Sequence, residues 1–259
     1  MVNGLRVFKE RFQSFEDCYT VIGGTACSIL MESAALAFRA TQDIDMILLV
    51  ESERFDEFAD QLLKFIDDGG YRCEERQNGT KRLYRFIEPA TAGYPAMIEL
   101  FSKNVLNMGK NRRITYVKTG KDPSGLSAML LSDEYYNLAM HGRENINGVW
   151  TLQASHLIPL KMYAWLNLKK DSLKGKEISE YDLLKHKYDV FRLLLLLSDE
   201  IRIDCDVKIR KDISAFIDSM ENEELLAENV FGDWAPEQFR TNFSKERDLD
   251  RLRKIYLET

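Results

Sequence analysis

The feature that most constrains this chain is a change of pattern near Gln153. Before it, short runs with a period of two alternate with stretches that repeat apolar residues every three to four positions; after it, only the helical period remains. A sequence of that form predicts an α/β (α+β) protein, with a mixed-sheet lobe over 1–152 followed by a helical C-terminal lobe over 153–259. At 259 residues and 45% hydrophobic composition, both lobes can bury a core.

Within the front lobe the pattern predicts helices over 5–15, 25–38, 55–66 and 135–140, and strands over 19–22, 43–50, 71–76, 81–87, 96–101 and 113–118. Asp67-Asp68-Gly69-Gly70 supplies a helix stop, and Asn78-Gly79 between two strand-like runs is a hairpin signal. In the back lobe, helices are expected over 154–168, 181–197, 207–220 and 236–256, with 171–179 as a linker.

Composition narrows the class of partner. A net charge of −6 disfavours a whole-surface attraction to nucleic acid. Lys103, Lys110, Arg112, Arg113, Lys118 and Lys121 form a local basic stretch, either a phosphate-facing patch or a solvated hairpin face. Cys18, Cys27, Cys73 and Cys205 lack C-x-x-C spacing, which argues against a zinc site and suits a reducing compartment. The N-terminal residues show no secretory pattern, and the apolar run at 193–197 is far short of the ~20 residues needed to cross a bilayer, so a cytoplasmic location without membrane partners is expected.

Chemistry concentrates between Val21 and Val50. Asp43 and Asp45 are separated by one apolar residue, so on a strand both carboxylates leave from one face. Two such carboxylates repel each other unless a cation sits between them, and magnesium favours hard oxygen ligands shared with phosphate. Upstream, Gly23-Gly24-Thr25 stands at a strand-to-helix junction. Glycines there admit a ligand close to the backbone, the amides opening the helix donate to phosphate, and Thr25 can add a hydroxyl. Glu99, between Ile98 and Leu100, projects from the face of its strand opposite those apolar neighbours.

IGGTA followed by RATQDIDMIL resembles the glycine-pair and D-x-D signature of the DNA polymerase β-like nucleotidyltransferase superfamily. The wording is particularly similar to AbiEii-type nucleotidyltransferases, the toxin components of abortive-infection toxin–antitoxin systems. The eighteen residues from Thr25 to Gln42 make a longer gap than in compact members, implying an extra helical turn or a longer loop. The resemblance covers about the first hundred residues, and 157–196 more loosely through IPLKMYA and KHKYDV.

The resemblance implies that Asp43, Asp45 and Glu99 hold Mg2+ or Mn2+, although many members carry Asp at the third position and Glu88 is a rival for it. It implies that Gly23, Gly24 and Thr25 bind the phosphates of an NTP substrate. Arg39 either contacts the triphosphate or satisfies helix carbonyls, and Lys161 either contacts nucleotide or snorkels from its helix. Lys185 and Asp189 stand four apart, the spacing of an intrahelical ion pair, and a functional role for Asp189 stays open. His141, His156 and His186 have no ligand spacing, and Tyr135, Tyr136 and Trp150 read as core. By the same resemblance the acceptor is RNA, especially a tRNA 3′ end, or a protein side chain, and the partner a cognate antitoxin. The rivals are a small-molecule nucleotidyltransferase of the aminoglycoside kind and a non-catalytic nucleotide- or partner-binding module.

Overall fold

The computed structural model describes residues 4–75, 81–103, 114–117 and 126–258. The chain gathers into two compact units: Met1–Ile29, Ala40–Tyr136 and Arg143–Leu152 in the first, and Leu30–Arg39, Asn137–Gly142 and Gln153–Thr259 in the second. The first is mixed α/β and the second helical, the mixed-sheet and helical classes of structure that the sequence pattern predicts.

In chain order the first part holds α1 (Leu5–Phe12), β1 (Tyr19–Ile22), α2 (Gly23–Ser33), β2 (Asp43–Leu48), α3 (Phe55–Gly69), β3 (Arg72–Glu75), β4 (Lys81–Ile87), β5 (Met97–Ser102), β6 (Ile114–Val117), β7 (Leu126–Leu130), α4 (Asp133–His141), β8 (Arg143–Ile146) and β9 (Val149–Leu152). Five strands follow the order β1-β2-β5-β4-β3, and β7 pairs with β5 and carries β6. The sheet is mixed. β2 and β7 run parallel to β5, whereas β1–β2, β4–β5, β3–β4 and β6–β7 are antiparallel.

An aromatic cluster fixes the helices to this sheet. Phe8 and Phe12 of α1, Tyr19 of β1, and Phe58 and Phe65 of α3 are all buried. Tyr19 stacks on Phe58 at 5.8 Å, and Phe12 meets Phe65 edge-on at 5.3 Å. Each such ring pair adds about 0.5–1.5 kcal/mol beyond the area it buries.

Several elements differ from the sequence expectation. α2 ends at Ser33 rather than at 38, and Ala35 at φ 57° turns the chain out of the helix. Of the two alternatives for the long gap before Asp43, a longer loop is the one present: a turn at 34–35 and irregular chain over 36–42. The Asn78-Gly79 turn lies outside the described residues. A second hairpin, β8–β9, was not expected, although Asn147 (φ 53°) and Gly148 (φ 80°) form the paired left-handed turn that Asn-Gly favours.

The second unit contains α5 (Ala154–Leu173), α6 (Glu180–Leu194), α7 (Val207–Glu221), α8 (Ala227–Phe231), α9 (Glu237–Thr241) and α10 (Lys245–Tyr256). α5 runs five residues further than expected, through the start of the presumed linker. The single helix expected over 236–256 is two, because Ser244 caps α10 by accepting from the amide of Arg247. Pro159 sits inside α5 and has no amide hydrogen for the carbonyl of Ser155 four residues earlier. The buried hydroxyl of Tyr256 donates to that carbonyl at 2.7 Å, tying the end of α10 to the start of α5. Among the described residues no helix is long and apolar enough to cross a membrane.

Candidate active site

The D-x-D pair opens β2, whose side chains alternate as the sequence requires. Ile44 and Met46 are completely buried, whereas Asp43 and Asp45 are only partly covered. β5 alternates in step: Ile98 and Leu100 are completely buried, and Met97 and Glu99 are partly covered. The parallel register sets Asp43 opposite Met97 and Asp45 opposite Glu99. Paired residues on neighbouring strands share a face, so Asp43, Asp45 and Glu99 share the side away from the Ile44–Met46–Ile98–Leu100 core.

The glycine turn lies at the next step of the same row. Ile22, the last residue of β1, is the register partner of Asp45, and Gly23 follows it at φ 70°. A Cβ at Gly23 would overlap the carboxylate of Asp45, so glycine is required there both by backbone conformation and by space. α2 starts at Gly23 itself, which puts its unpaired first-turn amides and its positive dipole end beside the acidic pair. Thr25 is completely buried and its hydroxyl donates to the carbonyl of Asp43 at 2.5 Å. That bond holds the start of β2 against the first turn of α2. Ala96 adds a second tie, its amide donating to the carbonyl of Gln42 at 2.8 Å.

Glu88, the rival for the third carboxylate, falls beyond the end of β4, is exposed at φ 54° and forms an ion pair with Arg72. Glu99 instead has Arg85 as its antiparallel partner on β4, with the guanidinium Nε 3.5 Å from Oε1. Nothing in the local sequence marks Arg85; only the β4–β5 register brings it to this face. Among the described residues no three His, Cys, Asp or Glu side chains are gathered closely enough to hold a metal ion. In oxygen type and in shared face the three carboxylates suit a hard cation. In convergence they fall short, with Glu99 engaged by Arg85.

Arg39 and Lys161 lie together in the helical unit, around a carboxylate whose role the sequence left open. Asp189 is completely buried. Arg39 clamps it with two bonds of 3.1 and 2.7 Å, Lys161 donates at 2.9 Å and Arg192 at 3.0 Å. Burial alone would raise the carboxyl's pKa, but Lys161, Arg39 and Arg192 outweigh it and hold Asp189 well below the usual carboxylate range. Neither the carbonyl-capping reading of Arg39 nor the snorkelling reading of Lys161 describes this arrangement, since both head groups turn inward to one carboxylate. Lys185 does not pair with Asp189, as its spacing had suggested; it pairs with Asp182 at 2.7 Å, because the Asp189 carboxylate turns into the unit while Lys185 stays near its edge. Burial, and then the charges of Lys161 and Lys185, push the His186 pKa well below the ordinary imidazole range.

Of the basic stretch, Lys103 pairs with Glu51, and Lys110, Arg112, Arg113, Lys118 and Lys121 lie outside the described residues. Tyr135 and Tyr136 are buried, and Trp150 donates to Glu16 at 3.0 Å.

No family model and no curated protein matches this chain. Among solved structures, the solution structure of the antibiotic-resistance factor ANT(2'')-Ia, titled for its substrate-regulated conformation dynamics, is similar at 14% identity and a TM-score of 0.39, over 83% of this chain and 91% of that one. A likeness at that level establishes no residue correspondence.

Proposed function

We propose that this chain is a metal-dependent nucleotidyltransferase that moves a nucleoside monophosphate from an NTP to an acceptor hydroxyl. The observation that carries the reading is a single row across three strands. It runs from Ile22, next to the Gly23 turn, to Asp45 to Glu99, with Asp43 two residues before Asp45 on the same face.

In this reading the amides opening α2 bind the triphosphate at Gly23 and Gly24, where the helix end favours negative charge. Asp43, Asp45 and Glu99 would hold Mg2+ or Mn2+, which when bound supplies positive charge for activating the hydroxyl and stabilising the leaving group. The chain's own residues bind and orient. The acceptor oxygen forms a bond to the α-phosphorus as the bond to the bridging oxygen breaks, and pyrophosphate departs. Positioning and charge stabilisation dominate such a step. Thr25 supports it by fixing Asp43 through the backbone. The sheet lobe over 1–152 is the catalytic domain and 153–259 the helical one.

For the acceptor, the resemblance of IGGTA and QDIDMIL to AbiEii-type toxins favours RNA, especially a tRNA 3′ end, or a protein, with a cognate antitoxin as partner. The test is incubation of the protein with α-32P-labelled NTPs and, separately, total RNA, a protein lysate and a panel of aminoglycosides. Labelled RNA or protein supports the toxin-type reading. Labelled aminoglycoside replaces it with the small-molecule activity, and nucleotide binding with no labelled product in any arm replaces both with a binding module.

A further inference from the structure

The chain from the end of β4 to the start of β5 bounds a cavity of about 520 Å3, walled by Ile87, Pro89, Ala92, Tyr94 and Ala96, with Glu88 as its charged group. Ligand pockets of a few hundred cubic ångströms are of this kind, mostly apolar with a polar group or two. Register fixes its place. Ile87, the last residue of β4, pairs with Met97, and Met97 pairs with Asp43. Phe86 is buried in the core, so Ile87 leaves β4 on the opposite side, the one that Met97 and Asp43 share. Ile87 therefore closes the row that begins at Asp43 and also walls the cavity, two strand spacings or about 9–10 Å away across the sheet. The Gly23 turn after β1, the start of β2 and this cavity all stand at one edge of the sheet.

The walls are tied down by the chain itself. Tyr94 packs on Phe65 at 4.7 Å and on Tyr71 at 6.2 Å. The Tyr71 hydroxyl donates to the carbonyl of Pro95 at 2.6 Å, and the Thr91 hydroxyl to that of Asp68 at 2.8 Å. The cavity is thus clamped to the end of α3 and formed in advance of any ligand.

We propose that this cavity takes the heterocyclic base of the nucleotide whose phosphates lie at the Gly23 turn. The inference rests on the nucleotidyltransferase reading and adds a site for the base. Apolar walls beside a tyrosine ring suit a flat ring system, and a carboxylate, which only accepts, suits an exocyclic amine. A polyamine would need several carboxylates. Among the described lining residues Glu88 alone is acidic, and it already pairs with Arg72. A nucleotide lying along the edge of the sheet would set its phosphates at β1 and its base at β4.

The test is calorimetric titration of the full chain with each of the four NTPs, with inorganic triphosphate, which has no base, and with a short RNA. At least one NTP is expected to bind about tenfold or more tightly than triphosphate. Ala92 is exposed, so Ala92→Trp puts an indole into the cavity without entering the core. It should remove most of the NTP's advantage and leave triphosphate binding at the wild-type level, while Ala92→Ser, too small to fill the space, should match wild type throughout. An Ala92→Trp protein that is folded by circular dichroism and keeps the full advantage overturns the assignment. So does one that weakens the RNA alone, since the base in the cavity would then be the acceptor's. If wild type binds neither NTP nor triphosphate, or Gly23→Ala binds both as wild type does, the nucleotide reading itself has failed and the base site falls with it.

Discussion

Replacing Asp189 with Asn keeps the side chain's shape and removes one negative charge from the most heavily bonded carboxylate in the helical unit. Three cationic groups would then face an amide: Lys161 with 3% of its side chain exposed, Arg192 with 6% and Arg39 with 15%. Water is too scarce there to solvate them. Removing one partner of a buried ion pair costs about 3–5 kcal/mol, chiefly because charge is left buried without compensation. The upper part of that range applies here, since one carboxylate serves three donors.

Urea unfolding of Asp189→Asn against wild type, followed by far-UV circular dichroism and tryptophan fluorescence, measures the loss; Trp165 and Trp234 report on this unit. Acid supplies an independent check. Because the folded pKa of Asp189 lies below its unfolded value, its contribution is complete above about pH 4 and drains away as pH falls further toward the folded value. The difference between variant and wild type should therefore be constant from pH 5 to 8 and shrink below about pH 4. A loss under about 1 kcal/mol, or a difference that vanishes near neutral pH, refutes the argument.

Tyr256→Phe removes the hydroxyl that satisfies the carbonyl Pro159 leaves open, and should cost about 1–3 kcal/mol by thermal or urea unfolding. A neutral result would mean that the Ser155 carbonyl finds another donor. Gly23→Ala meets both a left-handed backbone and the Asp45 carboxylate, so it should cost roughly 1–2 kcal/mol in a melting experiment. It should also abolish nucleotidyl transfer, because the carboxylate must move to make room; wild-type turnover in that variant would contradict the close fit.

What the sequence disclosed and what it withheld divide along a physical line. Asp43, Asp45 and Glu99 announce their common face through local alternation, because the period of a strand is a property of the backbone. Their adjacency is less local: it requires β5 to pair with β2 across an intervening helix and hairpin, a register that no short pattern encodes. Arg85 was invisible for the same reason, and Asp189 meets Arg39 across 150 residues of sequence. The β8–β9 hairpin was legible in principle, since Asn147-Gly148 repeats the signal at Asn78-Gly79. It was obscured because the strand Arg143–Ile146 carries charged and polar residues where apolar alternation would be expected. The break between α9 and α10 turns on one serine cap inside an otherwise continuous helical period.

The transferred atom tests the central claim most directly. Wild type and the Asp43→Asn, Asp45→Asn double variant, matched by circular dichroism, are incubated with Mg2+, acceptor and NTP labelled at either the α- or the γ-phosphorus. The account predicts that wild type attaches only the α label and releases pyrophosphate, while the double variant attaches none. Transfer of the γ label, or α-label transfer undiminished in the double variant, contradicts it.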